Sequence, residues 1–185
     1  MARSELAFAR ARGAYERAHA VAGLRGIALA GALALLAIGL HRTTNTTWLV
    51  ASALGATLAV LGWRGGAFRR GAHAGVLAGL PPMIAPTLVF ALGHGGHCPN
   101  CELGPTLPCL LACFGTSALV GMFVGHAATR DASPARYALA AIASAALTGL
   151  LACSTTGIGG AVGVVIGLVA GGVTGWVVAG RTAAA

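Results

Sequence analysis

The sequence predicts an all-α protein, a polytopic bundle of six transmembrane helices with a short cytoplasmic helix at its N-terminus. The composition is 57% hydrophobic and only 9% charged, whereas a soluble domain carries charge on about a quarter of its residues. The apolar residues are also gathered into six runs, each close to the roughly 20 residues that a helix needs to cross a bilayer. Most of the 185 residues are consumed by these runs, which leaves little chain for a soluble domain.

The boundaries of the runs divide the chain into three parts. We expect a cytoplasmic N-terminal amphipathic helix over residues 1–20, a transmembrane domain over 21–180 and a cytoplasmic tail over 181–185. The second run is the shortest, but Trp48 and Trp63 bracket it as aromatic anchors at the two interfaces do. The six runs are 21–40, 48–63, 74–92, 106–126, 137–153 and 157–178.

The arginines predict the orientation. All twelve basic residues are arginines, and all except Arg42 lie before or at the start of the first run, or in the flanks that share its side of the membrane. Basic residues accumulate on the cytoplasmic side, so both termini are expected in the cytoplasm. The lack of lysine beside abundant alanine, glycine and arginine is typical of a GC-rich bacterial genome, which points to a bacterial inner membrane. The arginines form no basic face interleaved with aromatics, so no direct nucleic-acid partner is expected.

Glycines in the sixth run predict close helix packing. Small residues at every fourth position clear one face of a helix, so that another backbone can approach in lipid. We expect this glycine ladder to pack within the bundle, with the shorter series Gly71, Gly75 and Gly79 as its partner; homodimerisation is the alternative. The ladder consists of Gly159, Gly163, Gly167, Gly171 and Gly175.

The segment from 4 to 20 is polar enough to leave the bilayer and contains no proline, which favours a helix. Phe8 and Tyr15 fall on one face together with several alanines. Such a face either lies on the membrane surface as a lead-in to the first span or enters a protein groove. The residues expected to contact a cytoplasmic protein are Phe8, Arg12, Tyr15 and His19.

The five cysteines all fall at the predicted outer face, close to two histidines. A C-x-x-C pair with neighbouring imidazoles suits a soft metal ion such as zinc, copper or cadmium. An exported pair also forms redox-active or structural disulfides, and buried cysteines behave as small hydrophobic residues. These chemistries remain open. The candidate ligands are His94, His97, Cys98, Cys101, Cys109, Cys113 and Cys153.

Two resemblances follow from these residues. The spacing His94-x-x-x-Cys98-x-x-Cys101 is similar to that of the zinc-binding anti-sigma factors, in which it lies on a soluble cytoplasmic helix. The order of N-terminal helix, six spans and outer cysteines resembles the NrsF-type membrane anti-sigma factors. That resemblance implies a regulator, not an enzyme, which retains a sigma factor through residues 4–20. It also implies that Cys98 or Cys101 works with Cys153, and that heavy metal or oxidant triggers release.

Two other functions remain as alternatives. A small metal or solute transporter would use the same spans, although ion paths usually contain ionisable groups within the membrane and these runs hold almost none. A quinone-coupled thiol oxidoreductase would use Cys98 and Cys101 as its active pair, with Cys109 and Cys113 as the relay.

Overall fold

The computed structural model describes residues 2–40, 45–92, 107–153 and 158–182. Over these ranges the chain forms helices and no strand, which confirms the all-α prediction. The helices are α1 (Ala2–Leu40), α2 (Asn45–Arg64), α3 (Gly66–Leu92), α4 (Leu107–Ala128), α5 (Pro134–Cys153) and α6 (Ile158–Thr182).

Five of the six helices are long and apolar enough to cross a membrane, as expected of a multi-pass membrane protein. They are α1, α2, α4, α5 and α6, judged over their described residues. The described part of α3 is not among them, and its first turns carry Arg69, Arg70 and His73. A count of six spans therefore stays a prediction.

Helix α1 is continuous, so the predicted boundary at residue 20 is not a break in the backbone. Its 39 residues have a length of about 58 Å at 1.5 Å per residue, nearly twice the roughly 30 Å of a bilayer core. The change from polar to apolar residues near Ala20 alters the surroundings that the helix prefers, but it leaves the backbone hydrogen bonds intact because no proline interrupts them.

A tight turn joins α2 to α3. Gly65 and Gly66 have φ of 65° and 55°, in the left-handed region that glycine enters without steric cost. The Gly65 N–H donates to the carbonyl oxygen of Leu61 at 3.2 Å and closes the end of α2. Helix α3 can thus begin at residue 66, well before the predicted start of the third run at 74.

Close helix pairs build the bundle around two apolar clusters. Helices α3 and α5 pack in parallel, as do α4 and α6, whereas α1 and α2 are antiparallel. One cluster draws buried side chains from α1, α2, α3 and α5 and is centred on residues such as Leu54 and Met83. The other is formed by α4, α5 and α6 around Val164 and Leu168.

The prediction that Gly71, Gly75 and Gly79 pack against the glycine ladder of α6 is wrong. These three residues lie against α5, where a Cβ added at Gly79 would stand 2.8 Å from the carbonyl oxygen of Ala145. Helix α5 presents small alanines along this contact, which lets the two backbones approach.

The ladder of α6 instead faces α4. A Cβ at Gly167 would stand 2.7 Å from the Phe114 carbonyl oxygen, and Gly171 and Gly175 continue the contact along Ala118 and Met122 of α4. Gly163 is buried, but none of the described residues lies within 4 Å of a Cβ added there. Gly159 belongs to the first turn of α6, outside the residues whose surroundings are described.

Candidate functional site

The predicted thiol and imidazole site falls largely outside the described residues. His94, His97, Cys98 and Cys101 lie in the range 93–106, which is not described. Within the described ranges, no group of three His, Cys, Asp or Glu side chains is arranged to hold a metal ion. The soft-metal site therefore stays a prediction.

The backbone nevertheless places the other three cysteines toward one end of the bundle. Cys109 lies in the first turn of α4, and Cys153 is the last residue of α5. A short connection joins these helices at their opposite ends, so the start of α4 and the end of α5 share one end. Helix α5 has 20 residues, which puts this end about 30 Å from the α4–α5 connection.

Cys113 is the one cysteine whose side chain the structure describes, and it is buried. Its exposed fraction is 2%, and it packs in the apolar cluster with Ala145 of α5 and with Val164 and Leu168 of α6. This environment suits cysteine in its role as a small hydrophobic residue.

The opposite end of the bundle holds an ion pair that sequence reasoning missed. Arg70 Nε donates to Asp131 Oδ2 at 2.9 Å, and Arg70 Nη2 donates to Oδ1 at 3.1 Å. The Ser133 backbone N–H donates to the same carboxylate at 2.9 Å. That N–H, together with the Arg70 guanidinium, lowers the pKa of Asp131, against the opposing effect of desolvation. The sequence held one signal for this pair: Asp131 is one of only four acidic residues, and it lies in a connection that also carries arginine.

This ion pair defines a basic end of the bundle. It brings the start of α3 beside the α4–α5 connection, which also carries Arg130. Since α6 runs parallel to α4, the C-terminal Arg181 of α6 reaches the same end. Arg70, Arg130 and Arg181, which the sequence assigns to one side of the membrane, thus lie at one end of the bundle.

The N-terminal part of α1 projects beyond this basic end. The His19 ring lies 6.1 Å from the Trp63 ring and 4.1 Å from the Tyr15 ring, between centroids. Its Cε1 is 3.4 Å from where a Cβ of Gly65 would stand, so His19 is level with the α2–α3 turn. The 17 residues from Ala2 to Ala18 therefore extend about 25 Å past that turn.

The predicted partner-contacting residues fall into two groups. The side chains of Phe8 and Tyr15 are 78% and 65% exposed, and Arg12 is exposed while its Nε donates to Glu16 Oε1 at 3.0 Å. His19 is instead half-buried at the junction with α2.

The exposed aromatic face of α1 continues the face that contacts α2. Phe8, Tyr15 and Ala22 are spaced by seven residues, which places them on one side of a helix. The Ala22 carbonyl oxygen would be 3.2 Å from a Cβ at Gly62 of α2. The same side of α1 is therefore covered by α2 within the bundle and uncovered beyond it.

No protein-family model, curated protein or solved structure matches this chain. The resemblance to NrsF-type anti-sigma factors accordingly stays a prediction.

Proposed function

We propose that this chain is a regulator in a bacterial inner membrane, similar to an anti-sigma factor, that retains a cytoplasmic sigma factor and releases it when the outer cysteines bind a soft metal ion or are oxidised. The observation that best supports the proposal is the uncovered face of α1, which carries Phe8 and Tyr15 beyond the end of α2.

Aromatic side chains at such exposure suit binding to a protein groove. An amphipathic helix binds by laying its apolar side into a hydrophobic groove, with anchors at helical spacing. Phe8 and Tyr15 supply those anchors, and Arg10, Arg12 and Arg17 flank them on the exposed surface. The partner surface would thus combine an apolar groove with an acidic rim.

The proposed topology has six spans and both termini in the cytoplasm. Convergence of the arginines on one end of the bundle supports it, because basic residues mark the cytoplasmic side. In this orientation the projecting part of α1 enters the cytoplasm, while the start of α4 and the end of α5 carry Cys109 and Cys153 to the outer side.

Coupling between the two sides would pass through α1 and its contact with α2. The helix is unbroken from Phe8 to Leu40, so a displacement at one end is carried along its axis. A Cβ at Gly26 would stand 3.0 Å from the backbone of Leu58, which leaves a close contact along which the two helices can shift between packings.

The alternatives gain less from the described residues. Among the described residues, the buried polar side chains are the hydroxyls of Thr47, Ser117, Ser144 and Thr148. Ion paths generally use ionisable groups instead. The transporter and the quinone-coupled oxidoreductase therefore rank below the regulator.

Retention of the partner tests the proposal directly. The tagged protein is purified from membranes with and without cadmium or a thiol oxidant, and co-purified proteins are identified by mass spectrometry. Wild type should retain a sigma factor and release it on treatment, whereas the combined Cys98→Ser, Cys101→Ser and Cys153→Ser variant should retain it throughout. The control is Cys113→Ala, which removes a buried thiol and should respond as wild type does. Failure to recover any sigma factor, or equal release from the triple variant, would contradict the proposal.

A further inference from the structure

An apolar groove lies between α4 and α6 near the basic end. Its volume is about 200 Å³, and its lining includes Met122, Phe123 and His126 of α4 with Gly175 and Val178 of α6. Pockets for compact small molecules begin at roughly 300 Å³, so this one suits a narrow hydrocarbon chain better. The groove opens at the surface of a bundle whose helices are apolar enough to lie in lipid.

Cationic groups follow the groove toward the end of the bundle. Arg130 Nη2 lies 3.1 Å from His126 Nε2, and because a guanidinium has no acceptor, the ring nitrogen accepts this hydrogen bond. The contact uses one of the five N–H donors of the guanidinium and holds the exposed Arg130 side chain beside the groove. Arg181 is also exposed and follows Val178 by three residues, which places it close to the same side of α6.

The neighbouring acid does not cancel this charge. Asp131 is next to Arg130 in sequence, but its carboxylate accepts hydrogen bonds from Arg70 and from the Ser133 N–H. Arg130 and Arg181 therefore present positive charge where the groove reaches the edge of the apolar helices.

We propose that this groove binds one anionic phospholipid, with an acyl chain along Met122 and Val178 and with the phosphate on Arg130 and Arg181. Guanidinium groups bind phosphate oxygens through charge-assisted hydrogen bonds, and basic pockets between membrane helices bind anionic headgroups. The lipid would join α4 and α6 at the end where the Gly175–Met122 contact already brings their backbones together. This site does not depend on the sigma-factor proposal.

Native mass spectrometry of the detergent-purified protein tests the site, with phosphatidylglycerol and phosphatidylcholine as probes. Wild type should retain one phosphatidylglycerol in preference to phosphatidylcholine. The Arg130→Gln and Arg181→Gln variants should each lower that retention about fivefold, which corresponds to the contribution of one basic residue near an anionic membrane surface. Arg10→Gln and Arg17→Gln are the matched controls, because they remove the same charge from the projecting part of α1, and they should retain lipid as wild type does.

A second variant separates the groove from simple charge attraction. Val178→Trp keeps both arginines but fills the groove, so this variant should lose the lipid. In a separate competition, inorganic phosphate should fail to displace the lipid from wild type. Arg130→Lys should recover part of the retention that Arg130→Gln loses, which guards against misfolding as the cause. Equal loss in the Arg10 and Arg17 controls, full retention by Val178→Trp, or equal retention of phosphatidylcholine would overturn the proposal.

Discussion

The guanidinium of Arg70 donates two hydrogen bonds to the carboxylate of Asp131, at 2.9 and 3.1 Å. The side chain of Asp131 is 9% exposed, whereas that of Arg70 is 58% exposed. The two residues are 61 positions apart, so this pair ties α3 to the α4–α5 connection at the basic end of the bundle.

Replacing Asp131 with Asn should lower thermal stability at neutral pH by a small amount. The folded-state pKa of Asp131 is lowered, so its stabilising effect is complete above the pKa of the unfolded chain, about 3.9. The effect is lost as the pH falls through the lower folded-state pKa. Melting temperatures in detergent should therefore differ between wild type and Asp131→Asn at pH 7, and the difference should shrink as the pH falls below about 4.

Arg69→Gln is the control for this prediction. Arg69 neighbours Arg70 and is also exposed, but the carboxylate of Asp131 is bonded to Arg70. Arg69→Gln should therefore leave the pH dependence of the melting temperature unchanged. A constant difference between wild type and Asp131→Asn across the pH range would mean that the ionised pair does not stabilise the bundle.

Gly171→Ala should destabilise the bundle, whereas Gly180→Ala should not. A Cβ at Gly171 would overlap the backbone of Ala118, whereas Gly180 is exposed and a Cβ there would have no described residue within 4 Å. Overpacking of this kind costs about 1–3 kcal/mol, and alanine in an open helical position gains up to about 1 kcal/mol over glycine. Thermal unfolding in one detergent measures both variants, which make the same chemical change in the same helix. Equal melting temperatures would contradict the packing of α6 on α4.

The sequence predicts where the helices lie but not which helices pack against each other. Apolar runs set the helix positions because the bilayer length and backbone hydrogen bonding limit the choices. A glycine at every fourth residue indicates that another helix backbone packs closely, but it does not identify that helix. The predicted packing of Gly71 on α6 was wrong for this reason. The sequence could not predict the ion pair between Arg70 and Asp131 either, because several arginines were equally possible partners for this carboxylate.

Reporter fusions test the proposed topology. A fusion after Arg181 should stay cytoplasmic, because Arg181 lies at the same end as Arg70 and Asp131. A reporter inserted between His94 and Pro105 should be exported. Alkaline phosphatase and green fluorescent protein fusions report the two sides in opposite ways. Phosphatase activity from the C-terminal fusion would contradict an even number of spans with a cytoplasmic N-terminus.

The last prediction concerns the projecting face of α1. Phe8→Ala and Tyr15→Ala should weaken partner retention, with the double variant losing most of it, because truncating an aromatic anchor in an interface often costs about 2 kcal/mol or more. The stability of the bundle should change little, since these side chains are 78% and 65% exposed. Leu24→Ala is the matched control: its side chain is 64% exposed on the same helix but lies within the apolar span, where lipid and not a cytoplasmic protein would cover it. Recovery of the partner from membranes, measured beside melting temperature, separates loss of binding from loss of folding. If Leu24→Ala lowers retention as strongly as Tyr15→Ala, the face beyond α2 is not the partner-binding surface.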